Sequence, residues 1–105
     1  MPEILCVNEL VACQKGAIVS KTLVEKEAGT VTLFAFDQGQ ALSEHTAPFD
    51  ALVQVTDGEA EIRIAGVAHK LGAGEMIIMP AHQSHALKAL TPFKMMLTMI
   101  RSRSE

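Results

Sequence analysis

The sequence predicts an all-β fold, a small sandwich or barrel. Runs rich in β-branched and apolar residues recur along the chain, and several alternate with a period of two. Turn residues break these runs at intervals of about eight to twelve residues, the rhythm of a sandwich or barrel and not of strands alternating with helices. Only one short stretch, near the N-terminus, carries helical punctuation.

The elements follow in order. Asn8-Glu9 can cap a short helical turn over Leu10, Val11 and Ala12 that ends at Gly16. A first strand is expected over residues 17–27, closed by Ala28-Gly29. A second, over 30–37, sets Phe34 and Phe36 on one face and Val31, Leu33 and Ala35 on the other. Residues 51–56 form the next, and Asp57-Gly58 is the strongest hairpin signal in the chain. Glu59–Ile64 reads E-A-E-I-R-I, a strict alternation ended by Ala65-Gly66. Strands over 67–71, 75–79, 84–90 and 93–100 complete the set, with Gly72-Ala73-Gly74 and Pro80 as breaks. The tail, 101–105, is polar and expected to fray.

Composition bounds what such a fold does. A chain of 105 residues is expected to be one domain, with a barrel over roughly 17–100 and an N-terminal segment over 1–16. The core is aliphatic, since there is no Trp or Tyr and only four Phe. With 9 Lys and Arg against 12 Asp and Glu, a nucleic-acid partner is not expected. No apolar run approaches the ~18 residues of a membrane helix. Cys6 and Cys13 match neither a redox pair nor a zinc pattern and read as reduced core residues; with no export signal in view, the expected compartment is the cytoplasm. Strands apolar on both faces need either a cover outside the barrel or a second subunit, and a homodimer is the expectation.

The chemistry lies in the histidines. His45 and His85 each stand near the end of a strand approach, among turn residues at fixed offsets, and can project into one barrel interior from different strands. A buried imidazole needs a partner for each nitrogen. His82 follows Pro80-Ala81 in a turn and is a candidate third group. Phe49 and Met79 are candidate pocket-lining residues, whereas His69, beside Lys70, has no supporting pattern. Ser84 cannot serve as a nucleophile for His85, because neighbours in a strand face opposite ways. Neither a phosphate-binding loop nor a dinucleotide fingerprint is present.

These two segments resemble the paired motifs of the cupin superfamily in its small single-domain form. In the first, Gly39, five intervening residues, His45 and the closing Gly58 match. In the second, Gly74, Pro80 and His85 match at their spacings. The resemblance implies a double-stranded β-helix, a jelly-roll-like barrel. It also implies that a complete motif holds a divalent metal through three histidines and a glutamate. Here Ala47 and Ala51 stand where the family has its second histidine and its glutamate, while His82 replaces a glycine and Ala89 an asparagine. Two of four ligand positions remain, His45 and His85, enough to hold one divalent ion weakly (zinc, nickel, copper or iron). Asp50, beside Ala51, has the opposite strand parity and is expected to point away. The expected function is binding of a small molecule in an apolar pocket, with His45 and His85 as its polar or metal-binding groups. The alternative is a metal-dependent enzyme of oxygenase or isomerase type with a reduced ligand set.

Overall fold

The computed structural model describes residues 3–102. A single 3-10 turn, Val7–Glu9, precedes nine strands: β1 (Ile18–Lys26), β2 (Gly29–Phe36), β3 (Ala41–His45), β4 (Phe49–Asp57), β5 (Glu59–Ile64), β6 (Val67–Gly72), β7 (Met76–Met79), β8 (His85–Ala89) and β9 (Phe93–Arg101). They form a five-stranded sheet in the order β1-β2-β9-β4-β7 and a four-stranded sheet in the order β3-β8-β5-β6. Every paired neighbour is antiparallel.

Alternation decides what lies between the sheets. From the larger sheet, Phe36, Ala51, Val53, Val55, Met79, Phe93 and Met95 point inward; from the smaller come Ala60, Ile62, Leu71, Leu87 and Ala89. Phe36 and Phe93 are register partners, and their rings stack with centroids 4.6 Å apart. Both are fully buried, which contributes about 1.5–3 kcal/mol each. In β5 the strict alternation sends Ala60 and Ile62 to the core, as expected.

The sequence reading needs correction at several points. The helical turn lies at Val7–Glu9, not over residues 10–12, and Val11 instead buries its side chain against Leu33 and Ala35 on the outer face of the larger sheet. That face is therefore partly covered by the chain's own N-terminal segment. Asn8 anchors the segment by donating from Nδ2 to the Thr56 carbonyl at 3.0 Å and by accepting from Lys94 Nζ. Cys6 is exposed and only Cys13 is partly buried; both are free. Strand β3 was not expected, because only Leu42 in it is even partly buried and alternation gives little signal.

Asp57-Gly58 is not a hairpin. β4 pairs with β7 and β9, whereas β5 pairs with β6 and β8, so these two residues carry the chain from one sheet to the other. Gly58 has a φ of +77°, and a Cβ there would run into the Pro92 carbonyl and the Phe93 backbone. The glycine is required by a sheet crossing against the β8–β9 connection. Two-residue hairpins form instead at Glu27-Ala28, between β1 and β2, and at Ala65-Gly66, where φ of +50° and +83° gives the left-handed pair that matches strand twist. Of the tail, Arg101 ends β9, and residues 103–105 lie outside the described residues. Among the described residues no helix is long and apolar enough to cross a membrane.

Candidate functional site

The barrel interior is filled at one end and hollow at the other. The hollow is lined by Leu42 and His45 of β3, by Ala47, by Phe49 and Ala51 of β4, by Met79 of β7, by His85 and Leu87 of β8, and by Met95, Leu97 and Met99 of β9. The enclosed cavity is about 60 Å³; the empty space counted out through its open mouth, solvent included, is about 420 Å³. All but the two imidazoles are apolar.

The register explains the lining. Ala51 lies between Met79 and Met99 on adjacent strands, so three inward positions form one row across β7, β4 and β9. The central member is the smallest, and the row is therefore concave. Phe49 is held at the rim: the Arg101 guanidinium sits 4.8 Å from its ring centroid, a cation–π contact that fixes the ring from outside.

His45 and His85 are brought together as register partners of β3 and β8, after an irregularity between Leu42 and His45. Their rings meet edge to face with centroids 4.4 Å apart. His85 is buried, 5% exposed, whereas His45 stands exposed at the mouth. Each ring is oriented by a backbone carbonyl two residues earlier. His45 Nδ1 lies 2.8 Å from the Ser43 oxygen, and His85 Nδ1 lies 3.2 Å from the Gln83 oxygen. A carbonyl only accepts, so Nδ1 carries the proton in both rings. Each neutral imidazole then has a lone pair on Nε2, which has no hydrogen-bond partner among the described residues. Burial pushes the His85 pKa below its ordinary value; the bond to Gln83 opposes this, and electrostatic repulsion from the adjoining His45 ring adds to it. His85 is therefore neutral at pH 7.

The other candidates fall in different places. Met79 and Phe49 line the hollow as expected. His82 does not: it is exposed, with a φ of +68°, and its backbone N–H donates to the Ala47 carbonyl at 2.9 Å. The left-handed backbone turns the chain between β7 and β8 and leaves this side chain outside the lining. Asp50 points away from the hollow and accepts from the Ala81 N–H at 2.9 Å. Leu42, Leu87, Leu97, Met95 and Met99 line the hollow as well, beyond the lining candidates named from the sequence. Parity along β9 was the available signal, since residues 93, 95, 97 and 99 share one face.

Comparison with known proteins agrees with this architecture. A family model described as the cupin domain matches residues 32–101, about two thirds of the chain. The chain is a cupin. Among solved structures, this cupin is similar to a conserved protein of unknown function from Streptococcus pyogenes, with 32% identity, a TM-score of 0.93, and coverage of 99% of this chain and 91% of that one. A cupin superfamily protein from Desulfitobacterium hafniense matches at 24% identity and a TM-score of 0.91, over 97% of this chain and 94% of that one. A cupin 2 conserved barrel domain protein from Leptotrichia buccalis shares 39% identity at a TM-score of 0.86, over 89% of this chain but only 45% of that longer one. Comparison with curated proteins gives no match.

The metal centre implied by a complete cupin motif can be tested against these side chains. His45 and His85 are oriented as ligands would be, each with Nδ1 tied to a carbonyl. The other two positions are methyl groups, Ala47 and Ala51, facing the same hollow. No cluster of three or more His, Cys, Asp or Glu able to hold a metal occurs among the described residues. A catalytic metal takes at least three protein ligands, so the residues present do not fit a resident catalytic ion.

Proposed function

We propose that this cupin binds a small, largely apolar molecule that presents a hydrogen-bond donor to His45 and His85. The observation that carries the reading is the pair of Nε2 lone pairs at one end of an otherwise apolar hollow. An apolar ligand body replaces water along Met79, Met95, Met99 and Leu97, and this burial supplies most of the affinity. His85 supplies the selectivity, because a buried acceptor left without a donor costs about 1–3 kcal/mol, and His45 flanks it at the mouth. A hydroxyl or a protonated acid has one proton and donates it to one of the two Nε2 atoms at a time; an ether of the same shape has none. The alternative, a metal-dependent oxygenase or isomerase with a reduced ligand set, has His45 and His85 in its favour and Ala47 and Ala51 against it.

Calorimetric titration with small phenols and their O-methyl ethers tests the reading, alongside elemental analysis and titration with zinc, nickel, copper and iron. Phenols are expected to bind at least ~10-fold more tightly than the ethers, with binding lost in His45→Ala and His85→Ala. Stoichiometric metal that disappears in both variants would overturn the reading in favour of the metalloenzyme.

A further inference from the structure

The hollow presents an unbalanced set of hydrogen-bonding groups. Apart from two imidazoles, its lining carries only Leu, Ala, Phe and Met side chains. In both rings the Nδ1 proton is engaged by a backbone carbonyl, that of Ser43 for His45 and that of Gln83 for His85. What remains is a pair of Nε2 acceptors and no side-chain donor. The rings are in contact, with centroids 4.4 Å apart and planes inclined at 69°. An imidazole lone pair lies in the plane of its ring, so the two acceptors address the same end of the hollow from different directions.

From this we infer that the ligand is an aromatic primary amine, its NH2 group donating one proton to each Nε2. The assignment rests on the small-molecule binding proposed above and narrows it by matching donors to acceptors. A hydroxyl has one proton for two acceptors. A primary carboxamide has two N–H donors but adds a carbonyl oxygen, to which the lining offers no side-chain donor. An alkylamine carries a positive charge at neutral pH, and no carboxylate lines the hollow to compensate it. An amine on an aromatic ring delocalises its lone pair into the ring, so it is neutral at pH 7 and asks for no donor. Two N–H groups and no strong acceptor match two acceptors without a donor.

The rest of the lining selects the ring. Met79 on β7 and Met99 on β9 flank Ala51 across the register, and Met95 follows on the same face of β9. Thioether sulfurs make favourable contacts with aromatic rings, and the small Ala51 side chain leaves the space between the two methionines to a flat group. The enclosed cavity, about 60 Å³, limits the ligand to a single ring.

Calorimetric titration of the full chain at neutral pH tests the inference with aniline, N-methylaniline, N,N-dimethylaniline, phenol, anisole, benzamide and benzylamine. Aniline is expected to bind about 5-fold more tightly than phenol or N-methylaniline, which have one donor each, the net contribution of one further hydrogen bond. Dimethylaniline, benzamide and benzylamine are expected to bind more weakly than aniline by at least as much. Phenol matching aniline, while still preferred to anisole, overturns the arylamine and leaves the small-molecule reading standing. Phenol and anisole binding alike, or no binding of any probe, overturns both. Benzamide or benzylamine matching aniline overturns the arylamine alone. Methylation also adds bulk, so long-range proton–nitrogen NMR of the imidazoles gives a second readout. Aniline is expected to shift the Nε2 resonances of both His45 and His85; a shift in one ring only overturns the proposal.

Discussion

The two ends of the barrel interior are built from the same strands and behave differently. At the filled end Phe36, Phe93, Val53, Val55 and Ile62 are all at most 2% exposed. At the hollow end the same inward positions of β4 continue to Ala51, and the approach to β4 contributes Ala47. Strand direction and register do not change between the ends; side-chain volume does. One end is therefore a packing problem and the other a hollow, the site of the proposed ligand binding. Alanine at positions 47 and 51 leaves that hollow open.

That contrast can be broken deliberately, and the largest effect is expected at the filled end. Phe93→Ala removes half of the ring stack and leaves a void that β2 and β9 cannot close. A loss of about 3–5 kcal/mol is expected in denaturant unfolding. Ala51→Leu at the hollow end grows a side chain into empty space. It should leave unfolding within about 1 kcal/mol of wild type while abolishing phenol binding. Equal destabilisation by the two substitutions would show that the hollow is not open in solution.

Restoring the missing donors sharpens the comparison from the other side. In Ala47→His/Ala51→Glu, His45 and His85 gain two partners on the same lining. Nickel or zinc affinity by titration is expected to rise by roughly 100-fold or more, about 2.7 kcal/mol. No gain would mean that the four positions do not converge.

The smallest effect is on pH dependence. His85 has its pKa lowered by burial below the ordinary 6.5. The unfolded chain therefore binds the proton more readily than the folded one. The contribution is fully present above pH 6.5 and is lost as pH falls through the depressed folded value. Urea unfolding should show stability falling with acidification below pH 6.5, and a flatter profile in His85→Gln. Phenol binding should weaken over the same interval, because protonation turns the His85 Nε2 from acceptor to donor.

Much of this was legible in the chain. Strict alternation in Glu59–Ile64 gave β5 to the residue, and the β-branched runs gave β1, β2 and β9 within a residue or so. His45 and His85 stood out by their spacing to Gly39, Gly58, Gly74 and Pro80. Three features were not legible. β3 buries too little to show a period. Asp57-Gly58 has the composition of a hairpin, but its partners are chosen by strands far away in sequence. His82 sits next to the right residues, yet its left-handed φ directs it outward.

The sequence by itself determined which residues of a strand share a face, because a period of two needs no knowledge of neighbours. It also determined that two of four ligand positions are alanine. The tertiary structure decided which strands pair, and hence that His45 and His85 touch, that Ala51 lies between two methionines, and that the N-terminal segment covers part of the outer face. Pairing is a long-range choice made by burial over the whole chain, and no local pattern encodes it.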